Sequence, residues 1–158
     1  MFEQYNEPTK NDSAAEDFAL RHQLKSGANW FYWIAGLSLV NSVISLFDGN
    51  WNFAAGLGIT QIFDGIARFS VEEGSGNWIK AVFFSLDLVV AGMFILLGVF
   101  ANRRQSWAFI VGMTLYTLDG VILIFAGDIL GIIIHAVALY FLFRGFTAAR
   151  QMVQLEKT

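Results

Sequence analysis

The chain has 158 residues, of which 56% are hydrophobic and only 15% are charged, whereas about 25% are charged in a typical soluble domain. A soluble protein of this size could not cover so much apolar surface, because its surface is large relative to its volume. The net charge of −3 and the lack of cysteine exclude disulfides, thiolate metal sites and a nucleic-acid partner held through phosphate contacts. We therefore expect the lipid bilayer to surround most of the chain.

Residues 1–29 are predominantly polar, and we interpret them as an N-terminal tail. Within them, Ser13-Ala-Ala-Glu16 has the capping-box pattern, which predicts a short amphipathic helix over 13–26 with Gly27 as its stop signal. This helix is expected either on the membrane surface or in solvent. The tail lacks the basic start and apolar core of a signal peptide, so the first spanning helix is expected to direct insertion.

The chain from residue 30 to residue 147 consists of apolar stretches separated by short polar turns. Each stretch has roughly the 17–25 residues that a helix needs to cross about 30 Å of hydrocarbon. The sequence predicts an all-α, polytopic transmembrane helix bundle with about five spans built on helical hairpins, followed by a polar C-terminal tail over 148–158. The predicted spans are 30–47, 53–69, 79–101, 107–126 and 129–146.

All five tryptophans lie at or near the starts of predicted spans. Indole rings favour the headgroup layer, because they combine an apolar body with a polar N–H group. We therefore predict that these residues are interfacial anchors. They are Trp30, Trp33, Trp51, Trp78 and Trp107.

A weak internal repeat accompanies this pattern. The segment from Trp51 to Gly56, followed by Asp64-Gly65, resembles the segment from Trp107 to Gly112, followed by Asp119-Gly120, when one residue is dropped. Some membrane transporters are built from duplicated helical units. The pattern predicts a helical hairpin repeat.

Four acidic or imidazole side chains lie inside the predicted spans, where an ionisable group costs roughly 2.5–3.5 kcal/mol on insertion scales. They are Asp64, Asp87, Asp119 and His135, and Arg68 follows Asp64 by one helical turn. If the five spans alternate in direction, all four lie about 8–12 Å below the same membrane surface. This common depth predicts an intramembrane polar cluster that binds protons or ions. The alternative is structural: an Asp64–Arg68 ion pair, together with protonated carboxyls that hydrogen-bond between helices.

A second set of polar residues follows helical spacing within the first two predicted spans. Such residues either line the predicted cluster or serve close helix packing in lipid, where hydroxyl and amide groups bond across helices. We favour the packing interpretation for this polar packing stripe. It consists of Ser38, Asn41, Ser42, Ser45, Thr60 and Gln61.

The sequence contains no GxSxG, HExxH, P-loop or strand-associated GxGxxG motif. Gly56-Leu57-Gly58 lies inside a predicted span, and we interpret it as helix packing. We therefore expect a non-enzymatic protein with no catalytic residue, no metal and no cofactor. Lysine and arginine divide five against five between the two faces of a five-span arrangement, so the orientation is not decided.

These observations favour a multi-pass protein of the bacterial inner membrane. Its expected role is that of an accessory or scaffold subunit that acts through helix–helix contacts, either as a homo-oligomer or with a partner membrane protein. The alternative is a proton- or cation-coupled transporter or channel centred on the Asp/His cluster. Only the transport role requires the buried acids to bind and release a proton or cation.

Overall fold

The computed structural model describes residues 10–47 and 56–156, which form five α-helices and no strand. This confirms the all-α prediction. Trp51, the start of the second predicted span at residues 53–55 and the chain ends at 1–9 and 157–158 lie outside the described residues. The helices are α1 (Lys10–Leu46), α2 (Gly58–Glu72), α3 (Trp78–Asn102), α4 (Ser106–Ala126) and α5 (Ile129–Leu155).

Three of the helices, α3, α4 and α5, are long and apolar enough to cross a membrane, which fits a membrane protein. The prediction of five such spans is wrong. With 15 residues, α2 is about 22 Å long and falls short of the roughly 30 Å of hydrocarbon. In α1, charged residues occupy the first half, and serine and asparagine lower the hydropathy of the second half.

The predicted stop at Gly27 does not exist, because α1 continues through it without interruption for 37 residues. The helix also starts at Lys10, so Ser13 is not its N-cap. Glycine at position 27 serves a close helix crossing instead: a Cβ atom there would lie 2.6 Å from Cα of Gly145 in α5. Small residues permit such backbone contact between membrane helices. The boundary that we predicted at residue 29 is therefore not a break in the helix.

The buried face of α1 follows a seven-residue repeat along most of the helix, which is the spacing of a left-handed helix pair. The face is apolar up to Ala35 and polar from Ser38 onward. Because α1 packs against both α3 and α5, this change in polarity divides the bundle interior into two halves. The buried residues are Leu20, Leu24, Gly27, Ala28, Phe31, Ile34, Ala35, Ser38, Asn41, Ser42 and Ser45.

The four long helices alternate in direction. Tyr32 of α1 accepts a hydrogen bond from Asn102 of α3, and Ser42, later in α1, lies beside Asp87, earlier in α3, so α3 is antiparallel to α1. We name the end of the bundle where α1 begins and α5 finishes the basal end. The apical end contains the last residues of α1 and the turn at 73–77.

The short helix α2 departs from this alternation. Its first turn lies beside the middle of α1, where the Leu57 N–H donates to Ser38 Oγ, and its end lies nearer the apical end, where Arg68 Nε donates to Ser45 Oγ. It therefore runs in the same direction as α1. Leu46 lies toward the apical end, whereas Gly56 and Leu57 are buried in the bundle interior. This half-helix invalidates the five alternating spans from which we predicted a common depth.

The basal ends of α1 and α5 extend together beyond the Gly27–Gly145 crossing. Leu24 and Met152 are buried there, and Arg104 of the α3–α4 turn pairs with Glu156 just after α5. Residues 148–155, which we predicted as part of a polar tail, thus continue the helix.

Candidate functional site

Eight polar or charged side chains are buried in the described part of the chain, and all of them come from the two sets that the sequence singled out. They lie in the apical half of the bundle, where the polar part of α1 faces α2, α3 and α4. They are Ser38, Asn41, Ser42, Ser45, Thr60, Asp87, Asp119 and His135.

The start of α2 is bound by a carboxylate from another helix. The Gly58 N–H donates to Asp119 Oδ2 at 2.8 Å, and the Ile59 N–H donates to Oδ1 at 2.9 Å. Helix N-termini leave backbone N–H groups without intrahelical partners, and the N-cap residue Leu57 offers no side-chain acceptor. Asp119 supplies the acceptors in its place. A negative charge is also favourable at this end of the helix dipole.

Two hydroxyl groups complete the same helix start. Ser38 Oγ accepts the Leu57 N–H at 2.7 Å and donates to the carbonyl of Ile34 at 2.8 Å. Thr60 Oγ1 donates to the Leu57 carbonyl at 2.8 Å. The half-helix can therefore begin inside the bundle, because protein groups supply the hydrogen bonds that water would otherwise make.

His135 joins Asp119 to α5. Its Nε2 lies 3.0 Å from Asp119 Oδ2, and its Nδ1 lies 2.9 Å from the carbonyl oxygen of Gly131. A carbonyl only accepts hydrogen bonds, so Nδ1 carries a proton. The ring stacks on Tyr116 with 4.0 Å between ring centroids. We call Asp119, His135, Ser38 and the α2 start the capping network.

Two glycines make these approaches possible. A Cβ atom at Gly120 would lie 3.3 Å from His135 Cδ2, and one at Gly58 would lie 2.9 Å from Leu123 Cδ2. Each position faces a buried side chain that has little room to move in a packed interior. The close packing of Gly120 against His135 therefore explains the glycine in the Asp119-Gly120 pair of the predicted repeat. The repeat itself stays a prediction.

A second group of polar side chains lies closer to the apical end, between α1, α2 and α3. Asp87 is fully buried, and neither of its carboxyl oxygens has a hydrogen-bond partner among the described residues. Ser42 Oγ is equally buried without a partner, and Asp64 lies near both residues. With Ser45 and Arg68, these residues form what we call the apical polar cluster.

The apical polar cluster reaches the protein surface. Ser42, Ser45, Asp64 and Arg68, with Lys80 of α3, line a cavity of about 10 Å³, which is about the volume that one water centre needs. Asp64, Arg68 and Lys80 are each partly exposed. A small ligand entering from the apical end would meet Asp64 before it met Asp87.

An aromatic layer closes the interior on the basal side. Phe31 packs against Phe94 and Phe109 at centroid distances of 6.3 and 5.8 Å, and Phe94 packs against Tyr116 at 6.3 Å. All four rings are buried. The Tyr116 hydroxyl has no partner in the parts of the chain that the structure describes. Among the described residues, this layer separates the polar interior from the basal end of the bundle.

The predicted cluster thus divides into two contact groups. Asp64 lies with Asp87, and Asp119 lies with His135, whereas Gln61 is only half-buried. Arg68 lies close to Asp64, as its helical spacing predicted. The ion-binding role and the packing role of these residues remain two alternative predictions.

The tryptophans that the structure describes lie on the bundle surface or half within it. Trp33, Trp78 and Trp107 are exposed, with Trp78 at the apical end and Trp107 at the basal end. Trp30 is half-buried and stacks on Phe141. Exposed rings at both ends are compatible with the predicted role of these residues as interfacial anchors.

The sequence did not indicate the backbone N–H groups of Gly58 and Ile59, nor the Tyr116 hydroxyl, as parts of the site. Gly56-Leu57-Gly58 was the available signal. Two glycines within three residues are unusual in the middle of a helix, and here they mark a helix start rather than helix packing.

No protein-family model matches this chain, and no curated protein or solved structure is detectably similar to it.

Proposed function

We propose that this membrane protein binds protons or small monovalent cations at the apical polar cluster, as a proton- or cation-coupled transporter does. The observation that carries the proposal is the carboxyl group of Asp87. It is fully buried, it has no hydrogen-bond partner among the described residues, and it faces another acid and a serine hydroxyl.

A carboxylate in such a position needs a counter-charge. Burying a charge without a partner costs several kcal/mol, and a proton or a bound cation removes most of that cost. Asp64, Asp87, Ser42 and Ser45 offer oxygen atoms only, which suits hard cations and protons. Among residues 10–47 and 56–156, no three acidic or imidazole groups come together as a tightly held metal ion would require.

The half-helix also supports a transport role. Transporters place ion and substrate sites where a helix is interrupted within the membrane, because the interruption exposes backbone groups. Here α2 begins after Leu57 within the capping network, on the basal side of the apical polar cluster. The aromatic layer would then be the barrier that opens on the basal side during transport.

This proposal includes four crossings and one re-entrant helix. The part of α1 from Ala28 to Leu46 is about 28 Å long, and its serines and Asn41 are buried in the interior. We infer that α1 crosses with α3, α4 and α5, while α2 enters from the apical side and returns to it. The proposed activity forms and breaks no covalent bond, so we also propose that the protein is not an enzyme.

The test is ion flux into proteoliposomes that contain a pH-sensitive dye, with imposed H⁺, Na⁺ and K⁺ gradients. We expect Asp87→Asn, which is nearly isosteric and uncharged, to lower the flux to the level of empty vesicles. The matched control is Asp17→Asn, because Asp17 lies at the basal end and is half-exposed. The proposal is wrong if the wild type carries no ion, or if folded Asp87→Asn conducts as well as the control.

A second candidate is the accessory or scaffold subunit, and one observation favours it. The side of α1 that carries Trp33, Gly36 and Val40 is exposed and is flanked by grooves of about 570 and 450 Å³. Such a surface fits a second copy of the chain or a partner helix. This candidate predicts a defined oligomer or a co-purifying membrane protein in mild detergent, and a monodisperse monomer without a partner would oppose it.

A further inference from the structure

We propose that Asp119 and His135 form a proton-controlled contact that holds the start of α2 inside the bundle, and that uptake of a second proton releases it. The proposal assigns regulation to the proposed cation site, and to that extent it rests on the proposed function. The contact itself is a matter of geometry: Gly58 and Ile59 of α2 donate to Asp119 of α4, which meets His135 of α5.

The hydrogen-bond pattern fixes the number of protons in the contact. Nδ1 of His135 donates to the Gly131 carbonyl, so the 3.0 Å contact between Nε2 and Asp119 Oδ2 contains one further proton. That proton is bound either to the imidazole, which gives an ion pair, or to the carboxyl, which gives a neutral pair. In both cases the pair has no net charge and Asp119 still accepts both N–H groups of α2.

A second proton makes this arrangement unfavourable. With His135 charged and Asp119 protonated, two hydrogens point into the same short contact, and the carboxylic acid is a weaker acceptor than the carboxylate. The net positive charge then lies at the start of α2, where the helix dipole is also positive. Acidification therefore weakens the hold of α4 on α2.

The surroundings offer little to offset that charge. Among the titratable groups of the neighbouring elements, Tyr116 of α4 stacks on the His135 ring, and Asp128 accepts the Gly131 N–H one turn before His135. From α1, Ser38 joins the same helix start through the Leu57 N–H, and it does not titrate. The acids of α2 and α3, Asp64 and Asp87, belong to the separate apical polar cluster.

The rest of α2 has few buried side chains, so release of its start would allow the whole helix to move. Only Gly58, Thr60 and Ala67 of the helix are buried, while Ile62, Ile66 and Phe69 are exposed. Because α2 also carries Asp64 and Arg68, its displacement would change the ligands of the apical polar cluster. Proton uptake at one group would thus alter ion binding at the other.

The test uses the absence of cysteine from the chain. Leu57→Cys places a single thiol at the buried α2 start, and Ser75→Cys places one in the exposed apical turn. Both proteins are reconstituted in nanodiscs and labelled with a soluble maleimide. The ratio of their labelling rates cancels the pH dependence of thiol chemistry.

We expect the ratio to rise roughly tenfold, within the range typical of coupled sites, when the pH is lowered from about 8 to about 4 and the pair takes up its second proton. In Leu57→Cys with His135→Gln, which keeps a donor for Asp119 and takes up no second proton, the ratio should be independent of pH. In Leu57→Cys with Asp119→Asn it should be high at every pH. A flat ratio in the protein with native His135, or an equal rise in the His135→Gln variant, would overturn the proposal.

The same assay separates this proposal from the proposed function. Adding Asp87→Asn to Leu57→Cys should preserve the rise at low pH, because Asp87 is not part of the contact. A loss of the rise in that variant would refute the assignment of the switch to Asp119 and His135. A rise in a protein that carries no ion flux would support the contact and remove only the transport role.

Discussion

Asp87 and Asp119 are both buried acids in apolar helices, yet their surroundings are opposite. Asp119 accepts two backbone N–H groups and contacts His135. Asp87 accepts nothing from the residues that the structure describes. The first carboxyl stabilises the fold, whereas the second raises the free energy of the fold until a proton or cation neutralises it. Residues retained at such a cost are expected at functional sites.

This contrast predicts opposite effects on stability. Asp87→Asn should leave the free energy of unfolding unchanged or raise it, because it removes a buried group that requires neutralisation. Asp119→Asn should lower it by about 1–3 kcal/mol, because the amide cannot accept both N–H groups and meet His135 as well. Thermal unfolding of both variants in the same detergent measures the difference. Equal destabilisation by the two substitutions would contradict the distinction between them.

The sequence was sufficient to find these residues but not their partners. A polar side chain in a long apolar stretch has to face the protein interior, so all eight buried polar residues could be selected from composition and spacing alone. Pairing Asp119 with His135 rather than with Asp64 depends on where α2 begins. That position follows from backbone hydrogen bonds, which no side-chain pattern records.

The sequence misassigned two helices: it divided α1 at Gly27, and it gave α2 the length of a full span. The predicted second span included Gly56 and Leu57, which are not helical, so an apolar stretch of spanning length contained only a half-helix. Hydropathy measures transfer into lipid, and it does not distinguish a crossing helix from a segment that enters and returns. The apolar runs of α3, α4 and α5 carry no such ambiguity, and the predicted bounds of α3 and α4 differ little from the observed ones, whereas α5 continues beyond its predicted end to Leu155.

The crossing of α1 and α5 yields a prediction with an internal control. Gly27→Ala should destabilise the bundle by about 1–3 kcal/mol, because the new methyl group would lie 2.6 Å from Gly145 Cα and force the helices apart. Gly36→Ala, in the same helix, meets no atom within 4 Å and should be neutral or slightly stabilising through helix propensity. Unfolding midpoints in one detergent provide the comparison, and similar values for the two variants would refute the proposed reason for Gly27.

At the scale of the whole molecule, the half-helix changes the charge balance between the two membrane faces. Because α2 returns to the apical side, only Arg68 and Lys80 among the described basic residues lie toward that end. The others lie before Gly27, in the α3–α4 turn, or from Arg144 onward: Lys10, Arg21, Lys25, Arg103, Arg104, Arg144 and Arg150. The equal division of lysine and arginine between the two faces, which we derived from the sequence, assumed that α2 crosses the membrane.

The positive-inside rule then predicts a cytoplasmic basal end, with the apical polar cluster facing the opposite side of the membrane. Ser75→Cys in the apical turn should react with an impermeant thiol reagent added to intact cells, whereas Gln105→Cys in the basal turn should react only after the cells are opened. Both positions are exposed, so access alone decides the outcome. The reverse labelling pattern would place the basal end outside and contradict the predicted orientation.

The most direct measurement of ion binding at Asp87 is infrared difference spectroscopy of the protein in membranes, recorded on changing pH or adding Na⁺. Binding or release at a buried acid changes the carboxyl C=O stretching bands. We predict that the wild type and Asp17→Asn give the same carboxyl difference band and that Asp87→Asn lacks it. Identical spectra from all three proteins would show that Asp87 exchanges neither a proton nor a cation, and would contradict the proposed site.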